Sequence, residues 1–297
     1  MKYKIFQNSD LFKHTAESKF KPNAVISIII FFCLWGGSLG LGRLIVTPLI
    51  KLLPNTTILW TSFALSLRKV LICGFQIAAF FMWVKFVEKR KIVTMGFIYN
   101  HRAREYFGGV LLGFGAIIII ALSLMFLGIV KVELNNLVPP NFLIGSLFIA
   151  VLGWVVQSAS EEIAIRGWLI PVLGVRYNPI IAVLLTGAVF GTIHLFNSGA
   201  TVLSFANLTL SGFFFALYAI NSGNIWGVCG LHFGWNFAQG NIFGLNISGE
   251  QSTDASLFIS KISGIDLLTG GGFRYRKQFY HYNIFILRCF VYQYKFI

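Results

Sequence analysis

Two adjacent carboxylates, two histidines and a carboxamide stand where a chain this apolar should carry nothing polar. Glu161 and Glu162 directly follow the apolar run Ile144–Val156. His194 and His232 lie inside otherwise apolar segments, and Asn236 follows His232 by one helical turn. The other eight of the ten acidic residues read as loop or tail residues. His14, His101 and His281 fall in polar or terminal stretches. An ionisable group at membrane depth costs about 2.5–3.5 kcal/mol on insertion scales, so such groups usually mark function. On a helix Glu162 and Arg166 are i,i+4 and can pair, while Glu161 points about 100° away, toward a water or a metal. Phe190 and His194 share a face, so the ring can pack on the imidazole or on a substrate. His232 and Asn236 share another. These parts suit amide hydrolysis. A carboxylate can act as general base, histidines can bind a metal or orient water, and a carboxamide can donate to an oxyanion. No G-x-S-x-G elbow and no H-E-x-x-H occurs.

Each feature also has a plain structural explanation. A Glu-Glu pair at a helix end is most often a solvated face, and an intramembrane His or Asn often serves as helix–helix glue. Those explanations weaken together, because all the polar groups fall between residues 161 and 236.

The elements that must position them are membrane helices. The 297 residues are 56% hydrophobic and 11% charged, against roughly 25% charged in soluble domains. Mean hydropathy is +0.75. Apolar runs predict spans at about 24–42, 70–87, 107–130, 141–160, 179–196, 204–221 and 224–245, with a weaker stretch at 283–297. The expected class is therefore an all-α, polytopic transmembrane bundle of about seven to eight spans around an intramembrane cavity. Gly42–Lys69, broken by Arg43, Pro48, Lys51 and Pro54, reads as re-entrant or interfacial. The spans 141–160 and 179–196 would set Glu161 near the inner surface and His194 near the outer end of the next helix, across about 30 Å of hydrocarbon. Extending the first of these to Pro171 deepens Glu161 but leaves His194 unexplained.

The net charge of +14 does not imply nucleic acid, because the basic residues sit between apolar segments as orienting charges. Residues 1–22 hold five lysines and the loop 85–104 six basic residues, which predicts a cytoplasmic N-terminus in a cell membrane. The first apolar run begins too late and is too long for a signal peptide and reads as an uncleaved anchor. Cys33, Cys73, Cys229 and Cys289 form no C-x-x-C pair and read as small core residues. The expected organisation is an N-terminal segment 1–22, helices 23–104, a catalytic membrane domain 105–272 and a basic-aromatic tail 273–297 whose composition departs from the rest.

Glu161-Glu162-x-x-x-Arg166, Phe190-x-x-x-His194 and His232-x-x-x-Asn236, in this order and each in apolar context, resemble the three-motif signature of the CPBP family. That family comprises the type II CAAX prenyl endopeptidases and the bacterial Abi proteins linked to bacteriocin immunity. The resemblance covers about residues 105–270. It implies proteolysis with Glu161 and His194 activating water, Glu162 and Arg166 in support, and His232 and Asn236 on the oxyanion. It also implies either Zn2+, for which Glu161, His194 and His232 are the candidate ligands, or a glutamate-activated water without metal. The implied partners are membrane lipids and a peptide or protein substrate, lipidated or not. Two other functions fit the same residues: a non-catalytic immunity or peptide-binding protein, and an ion-coupled carrier using Glu161, Glu162 and Arg166 as a relay. The absence of repeats argues against the carrier.

Overall fold

The computed structural model describes residues 9–54, 57–98, 100–249 and 255–263. Among them are nine α-helices: α1 (Asp10–Thr15), α2 (Ala24–Ile50), α3 (Ile58–Met82), α4 (Arg102–Phe126), α5 (Pro140–Glu162), α6 (Ile170–Arg176), α7 (Pro179–Ile193), α8 (Val202–Ser222) and α9 (Trp226–Phe237). Strands β1 (Val130–Leu134) and β2 (Phe258–Ile262) pair antiparallel, Val130 opposite Ile262. Among the described residues six helical segments are long and apolar enough to cross a membrane; α9, even with its following π turn, is not among them. The fold is the expected polytopic helical bundle. The stretch 283–297 and the tail 273–297 lie outside the described residues.

Local chemistry sets the helix starts. Asn23 Oδ1 accepts from the Ile26 amide at 2.9 Å, Thr57 caps α3, and Asn178 followed by Pro179 opens α7. Thr201 and Ser204 form a reciprocal capping box on α8, which ends at Gly223 with φ +69°.

One expectation is corrected. Gly42–Lys69 is not re-entrant. It is the last turns of α2, a short connection and the first half of α3. Pro48 sits in the last turn of α2, where it removes the N–H that would reach the Leu44 carbonyl and the helix ends two residues later, and Arg43 lines a protein cavity. The helix bearing the glutamates runs past residue 160, as the extension to Pro171 required, and five residues further, to Arg176. From Glu162 it continues as a π turn (Ile163–Leu169) into α6, one apolar segment Pro140–Arg176. Pro171, which brings no N–H to the carbonyl one turn back, sits just after that π turn. The reversal therefore falls at residues 177–178. Glu161 lies fifteen residues before Arg176 and His194 fifteen after Pro179. Each is about 22 Å from that end at 1.5 Å per residue, so the two stand level.

Two ends of the bundle result. The turn at 177–178, α1, the segments 88–98 and 100–101 and the turn 223–225 share one end. There Ala24 N–H donates to the Tyr177 hydroxyl and Ile225 N–H to the Gly96 carbonyl. The sheet, residues 197–201 and the loop after α9 share the other, where Asn197 Nδ2 donates to the Ser248 carbonyl at 2.7 Å. Helix α9 is pressed onto α4 through paired glycines four apart. A Cβ at Gly113 would collide with the Leu231 carbonyl, and one at Gly230 with the Tyr106 carbonyl. This close seat fixes the helix carrying His232 and Asn236.

Candidate active site

Glu162 is the anchor of the polar cluster. It and Arg166 are both fully buried, and Arg166 Nη1 donates to Glu162 Oε1 at 3.0 Å. The same oxygen lies 2.7 Å from His232 Nδ1, across 70 residues of chain. A carboxylate only accepts, so Nδ1 carries the proton and Nε2 is left for other work. Arg166 Nη2 donates to the Gly212 carbonyl at 3.1 Å, and its guanidinium stacks 4.8 Å from the Phe190 ring centre. Glu162 thus joins α5, α9 and, through arginine, α8.

Glu161 faces elsewhere. Gln157 Nε2 donates to its Oε1 at 2.6 Å, whereas Oε2 is buried with no hydrogen-bond partner. His232 Nε2 stands 4.0 Å from that free oxygen. Asn236 Nδ2 donates to Gln157 Oε1 at 3.1 Å, which leaves its second N–H uncommitted there. His194 Nδ1 is 2.7 Å from the Phe190 carbonyl. A carbonyl can only accept, so His194 also carries its proton on Nδ1 and offers a lone pair at Nε2.

Glu161, His194, His232 and Asn236 line one cavity of about 440 Å³. Phe190 does not line it. Its ring packs against His194, with centroids 4.7 Å apart, and borders a smaller neighbouring pocket with His232 and Asn236. The ring is a buried spacer between guanidinium and imidazoles, on the far side of His194 from the larger cavity. Among the described residues, no three His, Cys, Asp or Glu side chains stand close enough together to hold a metal ion. As placed, then, Glu161, His194 and His232 surround a common space without forming a ligand set.

Sequence reading missed Gln157, which wires Glu161 to Asn236. Its signal was available: it lies i−4 from Glu161, on the same helix face, at the end of an apolar run. It also missed the Trp154 indole donating to Asn241 Oδ1 at 2.6 Å, which ties α5 to the π turn 238–242.

Residues 143–238 match the family model described as Type II CAAX prenyl endopeptidase Rce1-like. Over these residues, about a third of the chain, the protein is similar to that family. All three motifs of the CPBP resemblance fall inside the matched segment, and it runs from the first turn of α5 to the residue after α9. The matched segment is shorter than the 105–270 expected from the motifs. Neither curated proteins nor solved structures give a match to the chain. The matched segment is thus embedded in a helical bundle in which α1–α4 and the sheet lie outside the matched residues.

Proposed function

We propose that this chain is an intramembrane endopeptidase that hydrolyses a peptide bond with a water activated by Glu161 and His194. The observation that carries the reading is the unpartnered Oε2 of Glu161, buried yet lining a cavity shared with His194, His232 and Asn236. A buried acceptor without a partner is costly, so it is kept where a substrate supplies the proton.

The roles follow from the protonation pattern. Glu161 Oε2 and His194 Nε2 are both acceptors on one cavity, so a water donating its two hydrogens to them turns a lone pair to the scissile carbonyl. Attack forms the C–O bond, and the proton passes to Glu161 as general base. The oxyanion faces the second Asn236 N–H and, in the doubly protonated ring, His232 Nε2–H. Collapse breaks the C–N bond, and Glu161 returns the proton to the leaving amine. Glu162, paired with Arg166, accepts from His232 Nδ1 and so turns Nε2 toward the cavity, without either residue touching substrate. No step uses a metal, in keeping with the absence of a three-ligand set among the described residues.

The test is cleavage of a membrane-peptide panel by purified protein in H2(18)O, before and after dialysis against a chelator. The expected result is one labelled oxygen in the new carboxyl terminus and a rate unchanged by dialysis. Activity lost to the chelator and restored by added Zn2+ would overturn the water-only route. No cleavage of any peptide that binds saturably would favour the peptide-binding reading instead.

A further inference from the structure

Between Val70 and Met82, α3 is apolar apart from the Cys73 thiol and one amide, Gln76. Gln76 is 4% exposed and lines the same cavity as Glu161. A buried carboxamide in an apolar helix calls for a partner or a task. Its one hydrogen-bonding contact within the described residues is long: Ser160 Oγ stands 3.5 Å from Oε1. That hydroxyl has a single proton and gives it to the Gln157 carbonyl at 2.7 Å. Gln76 Nε2 makes no hydrogen bond among the described residues. Gln157 is the opposite case, since its carboxamide is committed at both ends, to Glu161 and to Asn236.

The helices bring Gln76 to the reacting groups. α3 and α5 run side by side in the same direction, with Gly153 against Ser66 and, further along, Ser160 against Gln76. Leu65, Lys69, Ile72 and Gln76 follow one face of α3 along the cavity. The cavity rim, with Asn197 and Ser248, lies at the sheet end, whereas Phe12 of α1 packs on Gly174 and closes the other end of the bundle. Gln76 is the innermost α3 residue on the cavity, beside the α5 turn that carries Glu161.

A carboxamide offers a donor and an acceptor side by side and no charge. In an extended chain the N–H and C=O of one residue face the same side, and a residue of a neighbouring strand exchanges both bonds with them. A side-chain amide can make the same exchange. A lipid phosphate brings no N–H, and an acyl chain brings neither group. We propose that Gln76 is a substrate-binding residue whose carboxamide takes the N–H and C=O of one residue of a peptide held extended beside Glu161. Such a contact reads backbone and is indifferent to side-chain sequence. As a substrate contact it rests on the proteolytic reading, so the test reads binding without turnover.

The probe is the fluorescein-labelled member of the membrane-peptide panel that binds most tightly to the Glu161→Gln chain in phosphatidylcholine nanodiscs, followed by anisotropy. Adding Gln76→Leu should raise Kd about tenfold, for two neutral hydrogen bonds lost, with the melting temperature no lower. Gln76→Met, also unbranched, carries the same comparison if the leucine chain does not fold. Ser160→Ala, which removes the contact between helices and keeps the carboxamide, should leave Kd within twofold. Each peptide N–H of the probe is then replaced in turn by an ester oxygen. One position should weaken binding about fivefold with Gln76 present and have no effect in Gln76→Leu. The proposal is overturned if Gln76→Leu leaves Kd within twofold, if Ser160→Ala weakens binding equally, or if every ester costs the same with and without Gln76. Absence of saturable binding by any panel peptide overturns it too. The coupled ester effect without cleavage by the native chain upholds the backbone contact and removes the proteolytic reading alone, whereas cleavage without the coupling removes Gln76 alone.

Discussion

The bundle buries two acid–base clusters that treat their carboxylates in opposite ways. At the closed end Glu88 has both oxygens engaged: Trp168 Nε1 donates to Oε1 at 2.5 Å and Arg90 Nε to Oε2 at 2.5 Å, with Arg90 Nη1 passing on to Thr94 at 2.8 Å. In the cavity, Glu161 has one oxygen bound to Gln157 and one left open, beside two imidazoles that each offer Nε2. Both carboxylates are withdrawn from bulk water, Glu88 at 1% exposure and the Glu161 side chain at 12%. Burial alone therefore does not identify a site. The closed cluster ties the segment 88–94 to the π turn, a structural task, while the open one reserves an acceptor for something that is not part of the chain.

The largest expected effect is at the open carboxylate. Glu161→Gln keeps the shape and the Gln157 contact but removes the base, so turnover should fall by about 10²- to 10⁴-fold. The melting temperature in detergent should stay within a few degrees of wild type. Near-normal turnover would remove Glu161 from the chemistry and with it the contrast between the clusters.

Glu162 sharpens the contrast from inside the site, because it is built like the closed cluster. Its neutralisation leaves the fully buried Arg166 without a counter-charge, and breaking a buried pair by removing one partner costs about 3–5 kcal/mol. Glu162→Gln should therefore lower both melting temperature and activity, whereas Glu161→Gln lowers activity alone. Identical melts for the two variants would mean that the neighbours do not divide the labour.

Glu88→Gln is the matching probe at the other end. Arg90 loses its carboxylate, but that end lies at the surface of the bundle, where water can recover part of the loss. About 1–3 kcal/mol of stability should go, with the rate below the melt unchanged. A tenfold loss of rate at full stability would show the closed cluster acting on the site through Trp168 and the π turn.

What could be read from the sequence follows the same contrast. Glu161, Glu162, His194 and His232 stood out because their flanks are apolar and a charge there is expensive. Glu88 did not, since Lys85, Lys89, Arg90 and Lys91 surround it and make it read as a solvated loop charge, yet it is buried. The level of His194 relative to Glu161 was left unexplained for a related reason. Two glutamates and an arginine after an apolar run look like the end of a span, but Arg166 and Glu162 neutralise each other and the helix runs on to Arg176. Once it does, the hairpin sets His194 level with Glu161. The glycine pairs that seat α9 on α4 were legible as four-residue spacings at 109 and 113 and at 230 and 234, but their partners could not be matched without the fold. Gln157 carries no charge, so no cost marked it.

Gln157 also gives the smallest and most specific expected effect. Its amide N–H holds Glu161 Oε1, and its carbonyl accepts from Asn236, so it sets the angle at which the open Oε2 meets the cavity. Gln157→Leu removes both bonds while keeping bulk and helix propensity, and Glu161 should then sample orientations in which Oε2 is not aligned with His194. A hydrogen bond to a charged group is worth about 1.5–3 kcal/mol, but water in the cavity replaces part of it. About a tenfold fall in kcat is expected, with KM changed less than threefold. Gln157→Glu should do worse at neutral pH, because a second carboxylate would face Glu161 one turn away and accept where a donor is needed. A helix-surface role would instead leave both variants at wild-type kcat, and an effect confined to KM would place Gln157 on the substrate rather than on Glu161. The kcat and KM of both variants on one peptide, measured below their melting temperatures, distinguish these outcomes.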